Sequence, residues 1–169
     1  MANTKPVNAK RLIYLYRIAS KAATDGGTAL SFVTENERKK SKDADTTSTK
    51  DGPIRTPGTP ETEITSTSIL PKGDAMIAAL EASMDSDELV ECWEVNLDEP
   101  AEGGDGKFKG KYYQGYITEL TLKSSADDMV SVDITYSVNG VGVDGNVTVT
   151  AEQQAAAAYA FADAVKTGA

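Results

Sequence analysis

Histidine is absent from this chain of 169 residues, and Cys92 is its one cysteine. Those scarcities exclude disulfides within the chain, zinc sites of the Cys/His kind and every catalytic triad that needs an imidazole base. Cys92 sits in a strand-like run beside Trp93, where a small buried residue is its expected role. Long apolar runs are missing too, so no transmembrane helix and no membrane insertion are expected. The opening MANTKPVNAKR has no apolar segment ahead of a cleavage site, which predicts no secretory signal and synthesis in a cytoplasm. Basic residues are outnumbered, 17 Lys and Arg against 26 Asp and Glu, for a net charge of −9. A surface of that sign repels nucleic acid phosphates and argues against a conventional DNA-binding module. Repulsion still serves where DNA has to slide past without sticking.

What is present suits one globular domain, with 40% hydrophobic and 25% charged residues and enough length to bury a core. The chain is organised around Lys107 to Val138, two long strands joined by a short acidic turn. On the first, Tyr112, Gln114, Tyr116, Thr118, Leu120 and Leu122 alternate with Tyr113, Gly115, Ile117, Glu119 and Thr121. On the second, Val130, Val132, Ile134, Tyr136 and Val138 alternate with Ser131, Asp133, Thr135 and Ser137. A period of two over β-branched and aromatic residues predicts a hairpin with one buried face.

Around it, Arg11 to Ser20 is a strand, its aromatic alternation outweighing a helix, and Thr28 to Glu35 is its hairpin partner across Asp25-Gly26-Gly27. Glu61 to Leu70 is a hydroxyl-rich strand. Asp74 caps a helix to about Ser86, and Glu88 to Asp98 is another strand. Asn139 to Gly142 offers a turn before a short strand at Asp144 to Thr150. Ala151 to Lys166 is alanine-rich and predicts a terminal helix. Asn36 to Pro60 stands apart: mixed charge, many Ser and Thr, and almost no large apolar residue. It predicts a long solvated loop, or an arm ordered against a neighbour. The total of about eight strands with a helix against one side predicts a mainly β sandwich or barrel.

The residues offer no chemistry. Glu91 and Glu94 are three apart on a strand, face opposite sides and cannot act on one bond. Asp127-Asp128 shapes a turn. Asp43, Asp45 and Asp51 lack the spacing of a calcium loop, and Gly103-Gly104-Asp105-Gly106 lacks the lysine and helix of a phosphate loop. Ser and Thr abound without a base. No catalytic, cofactor or metal site is expected, and hence no enzyme.

The order and spacing of these segments resemble the major tail tube protein of long, non-contractile-tailed bacteriophages, the siphophage family of lactococcal and related Gram-positive phages. The likeness is carried by RLIYLYRI at Arg11, KSKDADTTSTKDG at Lys40 to Gly52, ETEITSTSI, GDAMIAALEASMDSDELVECWEV and KYYQGYITELTLKSSADDMVSVDITYSVNGVG, from about Arg11 to Gly142. The resemblance implies two antiparallel sheets with one flanking helix, an N-terminal arm at 1–10, a tail tube domain at 11–150 with its long loop at 36–60, and a C-terminal helical arm at 151–169. It implies a virion protein whose six-membered rings stack into a hollow tube for genomic DNA, which passes without stable binding. The loop would reach the next ring through Lys42, Asp43, Asp45, Thr47, Thr49, Lys50 and Asp51. A tape measure protein, a tail terminator and distal tail or baseplate proteins are the implied partners. An acidic bore would keep DNA from clinging, with Glu61, Glu63, Glu91, Glu94 and Glu119 as candidate lining acids. The competing expectation is an Ig-like carbohydrate-binding module on a virion or cell surface, using Tyr112, Tyr113 and Tyr116.

Overall fold

The computed structural model describes residues 5–103 and 106–150. Its elements are β1 (Leu12–Ile18), β2 (Thr28–Ala29), β3 (Val33–Thr49), β4 (Gly52–Ile69), α1 (Ala75–Asp85), β5 (Val90–Pro100), β6 (Lys107–Lys123) and β7 (Ser131–Thr148). Every ladder is antiparallel, and the strands join in the order β2-β1-β5-β6-β7-β4-β3. The mainly β architecture with a flanking helix is as expected, with the two anticipated sheets present as two halves of one coiled sheet. Side chains show the coiling. Tyr16 on β1 shares a 2.8 Å hydrogen bond with Ser66 on β4, a strand it does not pair with. Its ring also meets Tyr136 of β7 edge-on at 6.0 Å.

The interior is filled by the inward half of each alternation: Tyr14, Tyr16 and Ile18, then Val90 and Cys92, Tyr113 and Ile117, Val132, Ile134 and Tyr136, with Ile64. Each such large side chain contributes about 1.5–3 kcal/mol on leaving water. Inside this core the buried Tyr136 hydroxyl donates to the Val90 carbonyl at 2.7 Å. Helix α1 adds Ile77 and Leu80 to the same core. Its start is set by Asp74, whose carboxylate accepts from the Met76 and Ile77 amides at 2.8 and 3.3 Å. A second core of Leu15, Val95, Leu97, Phe108 and Val149 lies on the opposite face of β1 and β5. β5 therefore packs apolar side chains on both faces, Val90 and Cys92 on one and Val95 and Leu97 on the other. At the N-terminus Arg11 pairs with Asp98 at 3.1 Å, holding residues just past the expected arm.

Four local expectations change. Residues 36–60 are not a loop: they are the paired strands of a long β3–β4 hairpin. No face of that hairpin is buried over most of its length, so it needs no apolar alternation and shows none. Asn139 to Gly142 does not turn. β7 runs through it as a bulge, with Gly140 and Gly142 at φ 74° and 78°. A Cβ at Gly142 would stand 2.5 Å from the Tyr113 ring, so that aromatic dictates the glycine. On β6 the alternation is interrupted by a register shift between Ile117 and Glu119. Tyr113 and Ile117 point inward before it and Leu120 after it, leaving Tyr116 at 40% exposure. The partner expected for β1 at Thr28 to Glu35 shrinks to the two residues of β2, and β3 begins at Val33. The expected helix at 151–166 lies outside the described residues.

Candidate functional site

The outward face of the four strands β3, β4, β7 and β6 is hydrophilic from edge to edge. Register fixes its rows. Glu37 stands opposite Thr65, Thr65 opposite Thr135 and Thr135 opposite Glu119. The next row is Glu35, Thr67, Asp133 and Thr121. Together they line one open trough, with Lys123 at its end. Lys123 is bound at 2.9 Å to Asp133, which also accepts a 2.7 Å hydrogen bond from Thr67. The lysine, then the threonine, hold the Asp133 carboxyl below the usual carboxylate range. Glu63 and Glu61 continue this face along β4 by the period of two, with Lys39 across from Glu63. Among the described residues, Glu35, Glu37, Glu61, Glu63 and Glu119 take part in no ion pair closer than 4 Å.

The five acids singled out by sequence therefore separate. Glu61, Glu63 and Glu119 share the trough face. Glu91 and Glu94 lie on β5, in the other half of the sheet, and both are neutralised. Glu91 accepts 2.6 Å bonds from Arg17 Nε and from the Tyr112 hydroxyl. Burial pushes its pKa up, but the Arg17 and Tyr112 bonds outweigh it and hold the carboxyl below its ordinary value. Arg17 also lies 4.9 Å over the Trp93 ring. Glu94 receives Tyr14 OH at 2.7 Å and Arg38 Nε at 2.6 Å. Sequence reasoning missed Glu35, Glu37 and Asp133 as members of the trough. The available signal was the alternation Glu35, Glu37, Lys39, hidden at the edge of a segment read as a loop.

The hairpin is the second feature. β4 stays paired with β7 only from Glu63 to Ile69. Toward the tip it pairs with β3 alone, so a two-stranded ribbon of nine register pairs, from Lys40–Thr62 to Thr49–Gly52 and roughly 33 Å long, stands off the body. Lys42, Asp43, Asp45, Thr47, Thr49, Lys50 and Asp51 all lie on it and all are exposed. The turn is closed by Thr49 Oγ1 donating to the Gly52 carbonyl at 2.6 Å, with Gly52 at φ 121°. Pro53, Pro57 and Pro60 sit in β4 below its contact with β7, where a strand without those amides resists stray edge pairing. The base is anchored by Arg38 to Glu94 and by Asn36 accepting from Ser66 at 2.7 Å.

A sugar-binding platform finds less support. Tyr113 is buried, Tyr112 leans on Trp93 at 5.5 Å with its hydroxyl held by Glu91, and Tyr116 alone stands clear. Among the described residues no three His, Cys, Asp or Glu side chains gather as a metal site, and no helix is long and apolar enough to cross a membrane.

Comparison with known proteins gives a consistent result. The family model described as phage tail tube protein matches residues 6–144. A putative tail protein of Staphylococcus phage phiMR25 is 32% identical over 170 residues, covering 98% of this chain and 86% of that protein. Among solved structures, the SPP1 tail tube superposes with a TM-score of 0.71 at 18% identity, over 89% of this chain and 85% of that one. The tail of an empty gene transfer agent particle, refined with C6 symmetry, gives 0.62 at 12% identity over 82% and 98%. At those identities the structural likeness speaks for the fold alone.

Proposed function

The chain belongs to the phage tail tube protein family, and from that premise we propose that six copies close into a ring, that rings stack into the tube of a long non-contractile tail, and that the β3-β4-β7-β6 face lines its bore. As a member of that family it is a structural protein of the phage tail tube, and its place is the virion. The observation that carries the lumen assignment is the trough itself. It is an open surface of acids and threonines, with one lysine and no large apolar side chain, which is what a wall beside moving DNA requires. Around a sixfold axis the unpaired carboxylates of Glu35, Glu37, Glu61, Glu63 and Glu119 would form repeating acidic rings. Phosphates meeting them are held off the wall, so DNA travels without being trapped. Glu91 and Glu94 are assigned to holding the subunit together.

The hairpin is the inter-ring connector. An unclosed head-to-tail contact propagates into a filament, and a polar ribbon makes such a contact without exposing a greasy surface on the monomer. A tape measure protein inside the growing tube, a terminator at one end and distal tail or baseplate proteins at the other are the partners of this reading. Electron microscopy of the purified protein tests it. The expected image is a tube of constant diameter, with sixfold end-on views. A protein that stays monomeric at high concentration, even when tail tips are supplied, would overturn it.

A further inference from the structure

The face of the sheet that carries the second core, turned away from α1, holds a groove. Strand register gives its shape. One wall is the row Leu15, Trp93, Tyr112 and Val143. The next row is Ile13, Val95, Gly110 and Gly145, so the floor changes from side chains to bare backbone as it crosses from β5 to β6 and β7. The other wall pairs Phe108 with Val147, joined in the second core by Leu97 and Val149. Tyr112 and Phe108 lie four residues apart on β6. The walls therefore stand about 13 Å apart, close to the diameter of about 10–12 Å of a helix with its side chains.

Cover is uneven along this groove. Toward β1, Leu15 and Val95 are buried, whereas toward β7 Val143 is 66% exposed and Tyr112 and Val147 are half-buried. Gly145 adds a separate observation. It is not among the glycines at positive φ, and a Cβ there would have no atom within 4 Å. Neither backbone strain nor crowding in the described body calls for glycine, and a glycine inside a strand weakens it. Close approach of a further backbone is the remaining physical use of such a position. The chain itself supplies that backbone. Val149 is a buried member of this core, and its amide donates to the Gly106 carbonyl at 2.7 Å. Thr150, the next residue, is the last one described, and residues 151–169 continue from that edge of the groove. As a helix, residues 151–166 would be about 24 Å long, against about 14 Å across the four strands β1, β5, β6 and β7. The stripe of that helix reads Ala155, Ala158, Tyr159, Ala162 and Val165. Its methyl groups suit a floor of backbone, and its two larger side chains suit the walls.

We propose that this groove is the seat of the chain's own C-terminal segment, with residues 151–166 lying across β7 and β6 over Gly145 and Gly110. The assignment does not rest on the tube reading and holds for a single folded subunit. Trp93, the sole tryptophan, belongs to the wall and reports on the seat. Ending the chain after Thr150 should shift Trp93 emission to the red and raise its quenching by acrylamide about twofold. A peptide of residues 151–166 added to the shortened protein should reverse both changes. Gly145→Leu in the full chain should expose Trp93 in the same way and lower the urea midpoint. In the shortened protein, which has nothing to displace, the same substitution should not lower the midpoint. Should the shortened protein fail to fold, the full-chain Gly145→Leu comparison decides alone. Equal shielding of Trp93 in the full and shortened chains, or a Gly145→Leu chain as shielded and as stable as the wild type, would overturn the proposal. Shielding that grows with protein concentration would overturn it as well and give the groove to the segment of a second copy.

Discussion

Gly115 faces the core between Tyr113 and Ile117, and the neighbouring strand decides its identity. A Cβ there would collide with the backbone carbonyl of Ser137 on β7 and stand 3.0 Å from the Val138 Cα. Backbone cannot swing aside as a side chain does, so Gly115→Ala should lower unfolding free energy by about 1–3 kcal/mol, read as a lower urea midpoint. Nothing in the sequence singles this glycine out, because the clash comes from a strand 22 residues away in the pairing with Ser137 and Val138. Glu91 supports a pH prediction. Its folded pKa lies below the ordinary carboxylate value, so its contribution is complete above the unfolded pKa of about 4.3 and is lost as pH falls through the folded value. Wild-type stability should drop between neutral and strongly acid pH, and Glu91→Gln should flatten that drop while lowering stability at pH 7. Denaturant titrations at both pH values measure it; equal acid sensitivity in the two proteins would remove Glu91 from the account.

At the scale of elements the β3–β4 hairpin is decisive. Secondary structure is usually betrayed by a buried face, and this ribbon has none, so its strands carry mainly Thr, Ser, charge and proline, with Ile54 the one large apolar residue. Replacing Lys42 to Pro60 with Asn-Gly joins Ser41 to its register partner Glu61 through a tight turn. Because the excised residues are almost all exposed, the shortened monomer should melt within a few degrees of the full chain while failing to form tubes. Normal tubes from it would end the connector role. β6 teaches the complementary lesson. Its period of two was visible, but the register shift after Ile117 moved the buried side from odd to even positions, placing Leu120 in the core and Glu119 on the outer face.

For the whole molecule, the distribution of charge matters more than its total. Among the described residues the glutamates that face the trough take part in no ion pair, whereas those on β5 are bound to Arg17 and Arg38. Tubes of the native protein should leave duplex DNA unbound even at low salt. Changing Glu35, Glu37, Glu63 and Glu119 to Lys should give tubes that retain DNA and release it as salt rises, since screening and counterion release govern such contacts. Co-sedimentation measures this, with microscopy confirming that tubes still form. Lysine-substituted tubes that ignore DNA would place this face away from the bore.

Local properties were settled by the chain alone. The absence of histidine, the central hairpin, the Asp74 cap and the Glu88 to Asp98 strand follow from composition, from the period of two and from hydrogen bonds between residues two or three apart. Only the tertiary structure decided which acids share a wall, since that depends on pairing and on contacts such as Arg38 with Glu94 and Tyr16 with Ser66. Partners fifty residues apart leave no periodic trace in the sequence. A polar arm with nothing to bury leaves none either, and its strands were visible only once they were paired with each other.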